Sequence, residues 1–394
     1  MTSVRIVDNI YWVGTDDRRD IMFEGLWPIP QGVTYNSYVL KGREKIALVD
    51  TVDRFYSTKL ISNISEVVEP SKIDYVILNH LEPDHSGSLE DILRVASNAH
   101  VVGSPMAISI AKAYYSIKSD YIEVRDGDML SLGDMTLKFI SAPWLHWPET
   151  IFTYEEQNQV LFSGDAFGTF GAADGKIFDD DVDAGAYEGE MKRYYADIVS
   201  HYASFVIKAG EKIRNLPIRI LCTTHGPTYR RNPSYPISRY LDWSSNRDEK
   251  KVVIVYGSMY EHTREAAEYL REALGGRGVA VKSFDLTAVH PGYVLPELID
   301  AKAVLIGAPT YEGEIFPPVS NMIEYMKIKH IRPKTVAIFA NYSWGSRITE
   351  ALKMRLSEIG MKVIEPSLLV RGRMSEEDKQ KADLMIENLT KELS

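Results

Sequence analysis

The stretch Asn79-His80-Leu81-Glu82-Pro83-Asp84-His85-Ser86 sets two imidazoles and two carboxylates within six residues, directly after the apolar run Tyr75-Val76-Ile77-Leu78. Side chains at i, i+2, i+4 and i+5 converge only if the backbone turns out of the strand, and Pro83 favours that turn. The spacing therefore predicts two metal half-sites, one built from His80 and Glu82, the other from Asp84 and His85. Three further residues repeat the strand-end placement: His146 in Pro143-Trp144-Leu145-His146-Trp147-Pro148, Asp165 in Leu161-Phe162-Ser163-Gly164-Asp165, and His225 in Cys222-Thr223-Thr224-His225-Gly226-Pro227. Each follows a short apolar or β-branched run and precedes a loop signal. Four imidazoles and three carboxylates are about what two metal ions need if one carboxylate bridges them and open positions remain for a substrate.

The elements that must position these groups alternate along the chain. Thr34 to Leu40, Lys45 to Thr51 and Tyr75 to Leu78 read as strands, with Phe55 to Glu66 a helix between them. Met135 to Ala142, Ile151 to Tyr154 and Gln159 to Ser163 form a second β-rich layer. Glu188 to Ala209 has helical apolar spacing and leads to the strand Ile218 to Thr223, which delivers His225. These segments predict an α/β sandwich with the metals at one sheet edge. A polar seam, Ser244-Ser245-Asn246-Arg247-Asp248-Glu249-Lys250-Lys251, precedes a fresh buried strand at Val252-Val253-Ile254-Val255-Tyr256. The expected domains are 1–248 and 249–394. In the second, strands at Val279 to Phe284, Ala303 to Ile306, Thr335 to Ala340 and Val363 to Val370 alternate with helices such as Thr263 to Leu274 and Thr349 to Ile359. That pattern predicts a doubly wound parallel sheet.

Ligands of such sheets sit at the carboxyl ends of the strands. There the sequence places Gly257-Ser258-Met259-Tyr260-Glu261-His262-Thr263, whose hydroxyls and helix-start N–H groups suit a phosphate, although an ordinary helix cap would look the same. Gly307-Ala308-Pro309-Thr310-Tyr311-Glu312 and Asn341-Tyr342-Ser343-Trp344-Gly345-Ser346 follow the next two strands, and their aromatics could border a planar ring or simply pack the surface.

Composition bounds the remaining possibilities. The chain has 394 residues, 45% hydrophobic and 25% charged, which is ordinary for a two-domain globular protein. Its net charge of −10 argues against a phosphate-tracking nucleic-acid surface and leaves room for a local patch that docks a small redox partner. Cys222 is the only cysteine, so the chain has neither an internal disulfide nor a cysteine-ligated cluster; packing is its expected role. The amino-terminal residues lack a signal-peptide core and no run approaches membrane-span length, so a cytoplasmic protein is expected.

Together these motifs resemble the flavodiiron proteins: a metallo-β-lactamase-like αββα sandwich followed by a flavodoxin-like doubly wound parallel sheet. Glu82 is the discriminating position, because the zinc hydrolases of that fold usually have histidine there and a hard oxygen donor favours iron. The resemblance implies that His80, Glu82 and His146 bind one iron, that Asp84, His85 and His225 bind the other, and that Asp165 bridges. It also implies FMN on the three strand-end loops, held by Ser258, Met259, Tyr260, Glu261, His262, Thr263, Pro309, Thr310, Tyr311, Glu312, Asn341, Tyr342, Trp344 and Gly345. Glu261 stands where the family often has Gly. Phe23-Glu24-Gly25-Leu26-Trp27-Pro28 and Gly32-Val33-Thr34-Tyr35-Asn36-Ser37-Tyr38 resemble the family's amino-terminal loop and first strands.

The activity implied is reduction of O2 to water or of NO to N2O, with electrons relayed through FMN from rubredoxin or another small donor. The resemblance also implies a head-to-tail homodimer or homotetramer in which the flavin of one subunit serves the irons of the other, with Trp147 and Trp344 as candidate contacts. Glu24, where some members have His, and the adjacent Tyr194 and Tyr195 are candidates to act beside a bound gas. A dizinc hydrolase, or a flavin electron carrier with a structural metal domain, are the alternatives. His100, His201, His290 and His330 fall outside every motif, and Asp179-Asp180-Asp181 with Asp183 reads as a solvated loop.

Overall fold

The computed structural model describes residues 2–19, 21–182, 184–245 and 247–393. Asn246 of the polar seam and Asp183 of the acidic run lie outside them. The chain divides into two compact units, Met1–Ser244 and Ser245–Ser394.

Two large sheets form the body of the first unit. One runs Val4–Val7, Ile10–Trp12, Tyr38–Lys41, Ile46–Val49, Tyr75–Ile77, His100–Gly103 and Tyr121–Glu123; the other runs Met129–Ser131, Thr136–Ser141, Ile151–Glu155, Val160–Phe162 and Ile220–Cys222. Trp12, Tyr38, Val49, Ile77 and Val102 from the first sheet share a core with Leu137, Phe139, Phe162 and Cys222 from the second. Strands at the site end here with their carboxyl ends together: Val160–Phe162 and Ile220–Cys222 are parallel, as are Ile46–Val49, Tyr75–Ile77 and His100–Gly103. Ile151 N donates to Asn79 O at 3.0 Å, joining the sheets beside the first histidine.

Three expected elements break into shorter ones. Thr34 to Leu40 is two strands, because Asn36 turns inward: its Nδ2 donates to Thr223 O and Gly226 O, and its Oδ1 accepts from Trp12 Nε1. Val33–Tyr35 accordingly pairs with Thr15–Asp17, while Tyr38–Lys41 joins the large sheet. Glu188 to Ala209 is likewise interrupted: Ala184–Tyr194 passes into a wider π-turn at Tyr195–Val199 and a 3₁₀ turn at Ser200–Tyr202 before Ala203–Ile213. Val363 to Val370 is two strands, Lys362–Val363 and Leu368–Arg371, separated at Pro366, which has no N–H to offer a ladder.

The second unit is a sheet in the order Ala280–Asp285, Glu249–Tyr256, Ala301–Tyr311, Thr335–Tyr342, Lys362–Val363, with Leu368–Arg371 continuing beside Thr335–Tyr342. Every one of these pairings is parallel. Val252 to Val255 are fully buried, as expected for a strand covered on both faces. Ala266, Ala267, Leu270 and Leu274 of helix His262–Gly275 share a core with Val252, Ile254 and Leu305, and Ala382, Met385, Ile386 and Leu389 of helix Glu376–Glu392 complete it. Strand Glu249–Tyr256 starts inside the polar seam: Lys251 is buried between Glu297 Oε2 and Asp300 Oδ1, at 2.9 and 2.6 Å, which satisfies its charge. Among the described residues no helix is long and apolar enough to cross a membrane.

Candidate functional site

Strand Tyr75–Ile77 ends, and Pro83 begins the single helical turn Pro83–Ser86. The turn aims Asp84 and His85 away from His80 and Glu82, giving the two half-sites the spacing predicts. His80, Glu82, His146 and Asp165 form one cluster of possible metal ligands and Asp84, His85 and His225 another. His146 Nε2 lies 2.9 Å from Glu82 Oε2, and His80 Nε2 lies 3.4 Å from the same oxygen. His85 Nε2 and His225 Nε2 each lie 3.3 Å from Asp84 Oδ2. Asp165 spans the pair: Oδ2 is 3.1 Å from His146 Nε2, and Oδ1 is 2.8 Å from His85 Nε2.

This donor set fits two metal ions. His85 and His225 present Nε2 atoms to each other at 3.0 Å, where two ring nitrogens can share only one proton. Both oxygens of Asp84 are buried and accept no hydrogen bond from a described residue, although Oδ2 lies at ion-pair distance from His85 and His225. Without metal, protons hold the cluster together. Burial opposes the charge of each imidazole, but Asp84 and Asp165 hold His85 up at about 9, and Glu82 and Asp165 hold His146 up at about 10. Burial likewise opposes the charge of Asp165, yet His85, His80 and His225 hold it well below the usual carboxylate range.

Groups behind the ligands fix their orientation. Glu149 is buried, and its Oε1 accepts from His80 Nδ1 and from Leu81 N, both at 2.9 Å. His225 Nδ1 donates to Thr34 O at 2.7 Å, and Thr224 Oγ1 donates to Asp165 Oδ1. Asp50 accepts from Asn79 N and Nδ2 under the first half-site, and burial pushes its carboxyl up to about 6. The sequence reading missed Glu149. Its one available signal is that it follows His146 by three residues, so a single loop supplies both a ligand and a brace.

Two candidates fall elsewhere. Tyr195 does not reach the cluster: its hydroxyl is 2.9 Å from Ser244 Oγ and its ring packs on Tyr240 and Trp243. Tyr194 faces the site instead, its ring 5.4 Å from His225 and walled by Phe23 and Phe170. Burial, with Asp165 nearby, pushes its phenol well above the usual range, so the group stays protonated. Glu24 is exposed in the turn between Met22–Phe23 and Trp27–Pro28, accepting from Trp27 Nε1 at 3.0 Å, and its neighbour Phe23 packs edge-on against His225. Trp147 stands edge-on to His80, and the acidic run proves to be an anchor, with Asp179 accepting the N–H groups of Arg230, Arg231 and Asn232. Cys222 is buried in its strand, as expected.

In the second unit, a cavity of about 320 Å³ opens at the carboxyl ends of the strands. Met259, Tyr260, His262, Thr263, Pro309, Thr310, Tyr311, Glu312, Asn341, Tyr342, Trp344 and Gly345 line it, together with Gly313 and Ser343, which the sequence reading omitted. The rings of Tyr260 and Trp344 are 82% and 94% exposed, open faces suited to a planar ligand. Ser258 and Glu261 do not line the cavity. Ser258 Oγ accepts from Arg264 N at 3.3 Å, capping the helix from inside, and the Glu261 carboxylate turns to Arg264 at 2.7 Å. Glu261 adopts φ 69°, the left-handed conformation that suits glycine at this position.

Residues 33–226 match the family model described as ODP family beta lactamase, and residues 254–383 match the flavodoxin model. Over 383 residues the chain is 36% identical to a nitric oxide reductase of Moorella thermoacetica, covering 96% of each chain. Among solved structures it is similar to the rubredoxin:oxygen oxidoreductase of Desulfovibrio gigas, with a TM-score of 0.95 at 29% identity over 100% of this chain and 98% of that one. It is also similar to the flavodiiron protein of Giardia intestinalis, with a TM-score of 0.95 at 27% identity over 100% and 97% of the two chains.

Proposed function

Because the chain belongs to the flavodiiron family, an oxidoreductase family, we propose that it reduces a diatomic gas at a diiron centre with electrons passed through FMN. Asp165 supports this most directly, since each of its oxygens faces a different half-site. Bound there, an iron pair supplies two adjacent one-electron centres, and the flavin resupplies electrons singly or in pairs.

His80, Glu82 and His146 would hold one metal and Asp84, His85 and His225 the other, with an oxygen of Asp165 available to each. Phe23 and Phe170 exclude water on the side of His225, and the protonated Tyr194 hydroxyl offers a hydrogen bond into that dry space. Thr263 and the first N–H groups of its helix would hold the FMN phosphate, and Tyr311 and Trp344 would border its ring. The protein works in the cytoplasm as a head-to-tail homodimer or homotetramer, with rubredoxin or another small protein as donor.

Either gas suits such a site: O2 with four electrons and four protons gives two waters, and two NO with two electrons and two protons give N2O and water. The test loads the protein anaerobically with iron and FMN, reduces it through a rubredoxin couple, and follows both gases at equal donor flux. Consumption of either is expected, and preference for one assigns the physiological reaction. Turnover of neither with full cofactor loading would sink the proposal.

A further inference from the structure

We propose that Glu149 and Thr224 make the two metal positions unequal in donor strength, so that the position held by His80, Glu82 and His146 gives up the first electron. This rests on the diiron function proposed above. The ligands themselves do not distinguish the positions, for each has two imidazoles, one carboxylate and one oxygen of Asp165. What stands behind them differs.

Behind His80 is a buried carboxylate, Glu149, fixed by a second bond from Leu81 N. An imidazole that donates Nδ1–H to a carboxylate is a more basic ligand through Nε2. Among the described residues no carboxylate outside the ligand set hydrogen-bonds an imidazole of the other position. His225 donates to the neutral carbonyl of Thr34, and His85 Nδ1 bonds to no described residue. The buried Asp50 carboxylate lies within electrostatic reach of His85, but its hydrogen bonds come from Asn79 N and Nδ2 and its own burial pushes it up to about 6, so it supports His85 less than Glu149 supports His80. Thr224 adds to the imbalance in the same direction. Its hydroxyl donates to Asp165 Oδ1, the oxygen beside His85, and draws charge away from it, while Oδ2 beside His146 accepts no hydroxyl of the described residues. More negative ligands stabilise the ferric state, so both effects favour oxidation at the His80 position.

The test oxidises the iron-loaded, FMN-loaded, fully reduced chain with ferricyanide. Each added ferricyanide takes one electron and becomes ferrocyanide; the flavin is followed by its visible absorbance and the irons by EPR and Mössbauer spectroscopy. Wild-type protein that takes up no iron would fail the diiron assignment itself, before any variant is compared. With iron bound, wild type is expected to accumulate a mixed-valent pair once the flavin's two electrons have been removed and one further electron is taken. Glu149→Gln keeps an oxygen that can accept both N–H groups and removes the charge, placing an NH2 group where Oε2 stood. It is expected to lower the maximum mixed-valent fraction at least two-fold, with a shift in the ferric component, and to weaken iron retention against a chelator by about 10–100-fold. Thr224→Val is expected to lower the mixed-valent fraction as well, through the ferrous component. An unchanged fraction in both iron-replete variants would overturn the proposal. If Glu149→Gln fails to hold iron, Thr224→Val alone decides, an unchanged fraction there being refutation.

Discussion

The metal unit and the flavin unit solve opposite binding problems. In the first, His80, His85, Asp165 and His225 are completely buried, and His80, Asp165 and His225 are each fixed by a neighbour outside the ligand set, so most of the donors are in place before any ion arrives. In the second, Tyr260 and Trp344 stand in solvent around an open cavity. Small cations need a dry, charge-balanced cage with donors held to within tenths of an ångström. A large planar ligand brings its own apolar area and needs only a phosphate anchor and two walls. The difference predicts that damage to the metal unit is permanent, while damage to the flavin unit is repaired by excess ligand.

Asp165→Ala should have the largest effect. It removes the oxygens that face both half-sites, leaving four imidazoles with less charge to balance them. Gas consumption is expected to fall by about 100-fold or more, with iron per chain reduced and FMN content unchanged. Added iron should not restore it. On the other side, Thr263→Val removes one buried hydroxyl at the start of helix His262–Gly275 without changing shape. FMN is expected to bind about 10-fold more weakly, the cost of one hydrogen bond to a charged group, with iron content intact. Titrating FMN into the assay should restore full turnover. Failure of that rescue would mean the two units do not differ in this way.

The same contrast explains what could be read from sequence. His80, Glu82, Asp84 and His85 are legible because a strand, a turn and four ligand types coincide within one short segment. Glu149 is not, because nothing in Pro148-Glu149-Thr150 says that its carboxylate is buried beneath a histidine 69 residues away. Tyr194 and Tyr195 show a different limit. Adjacent residues on a helix point about 100° apart, so only one can face the metals, and the choice depends on the helical phase. The wide turn at Tyr195–Val199 resets that phase without leaving a mark in the apolar spacing. The parallel, doubly wound sheet of the flavin unit was legible from the alternation of strands and helices, whereas the break at Asn36 depends on acceptors nearly 190 residues downstream.

Alkaline pH should separate the units in metal-free, flavin-free protein. His85 and His146 have folded values raised from 6.5 to about 9 and about 10, so the stability they contribute is full below pH 6.5 and is lost as pH rises through 9 to 10. Lys334 in the second unit behaves oppositely. It is 3% exposed, and burial, joined by the Arg332 charge, outweighs Asp248 and lowers it from 10.5 to about 8. Between those values the unfolded chain binds more protons, so this group's contribution rises with pH, by on the order of 3 kcal/mol across the whole interval. Calorimetry at pH 7.5 and 9.5 should show the metal unit's transition moving down relative to the flavin unit's. A common shift of both would contradict the assignment of charge to these sites.

The smallest effect tests whether strain is removable. Glu261 at φ 69° and Phe167 at φ 69° occupy the same disfavoured backbone region, one in each unit. A non-glycine residue there costs about 1–2 kcal/mol. Glu261 is exposed, its ion pair with Arg264 is a surface contact of little worth, and its side chain lines no cavity. Glu261→Gly should therefore stabilise the flavin unit by about 0.5–1 kcal/mol, the relief of strain less the added freedom of the unfolded glycine, with FMN binding unchanged. Phe167 is fully buried against Phe152 and Tyr240, two residues beyond Asp165. Phe167→Gly would relieve the same strain but empty a core position at a cost of about 3–5 kcal/mol, so it should destabilise the metal unit. Thermal unfolding of the two variants gives opposite signs if the metal unit holds its strain in place by packing around the ligands. A destabilised Glu261→Gly would show that the flavin unit depends on its loop geometry as strictly as the metal unit depends on its cage.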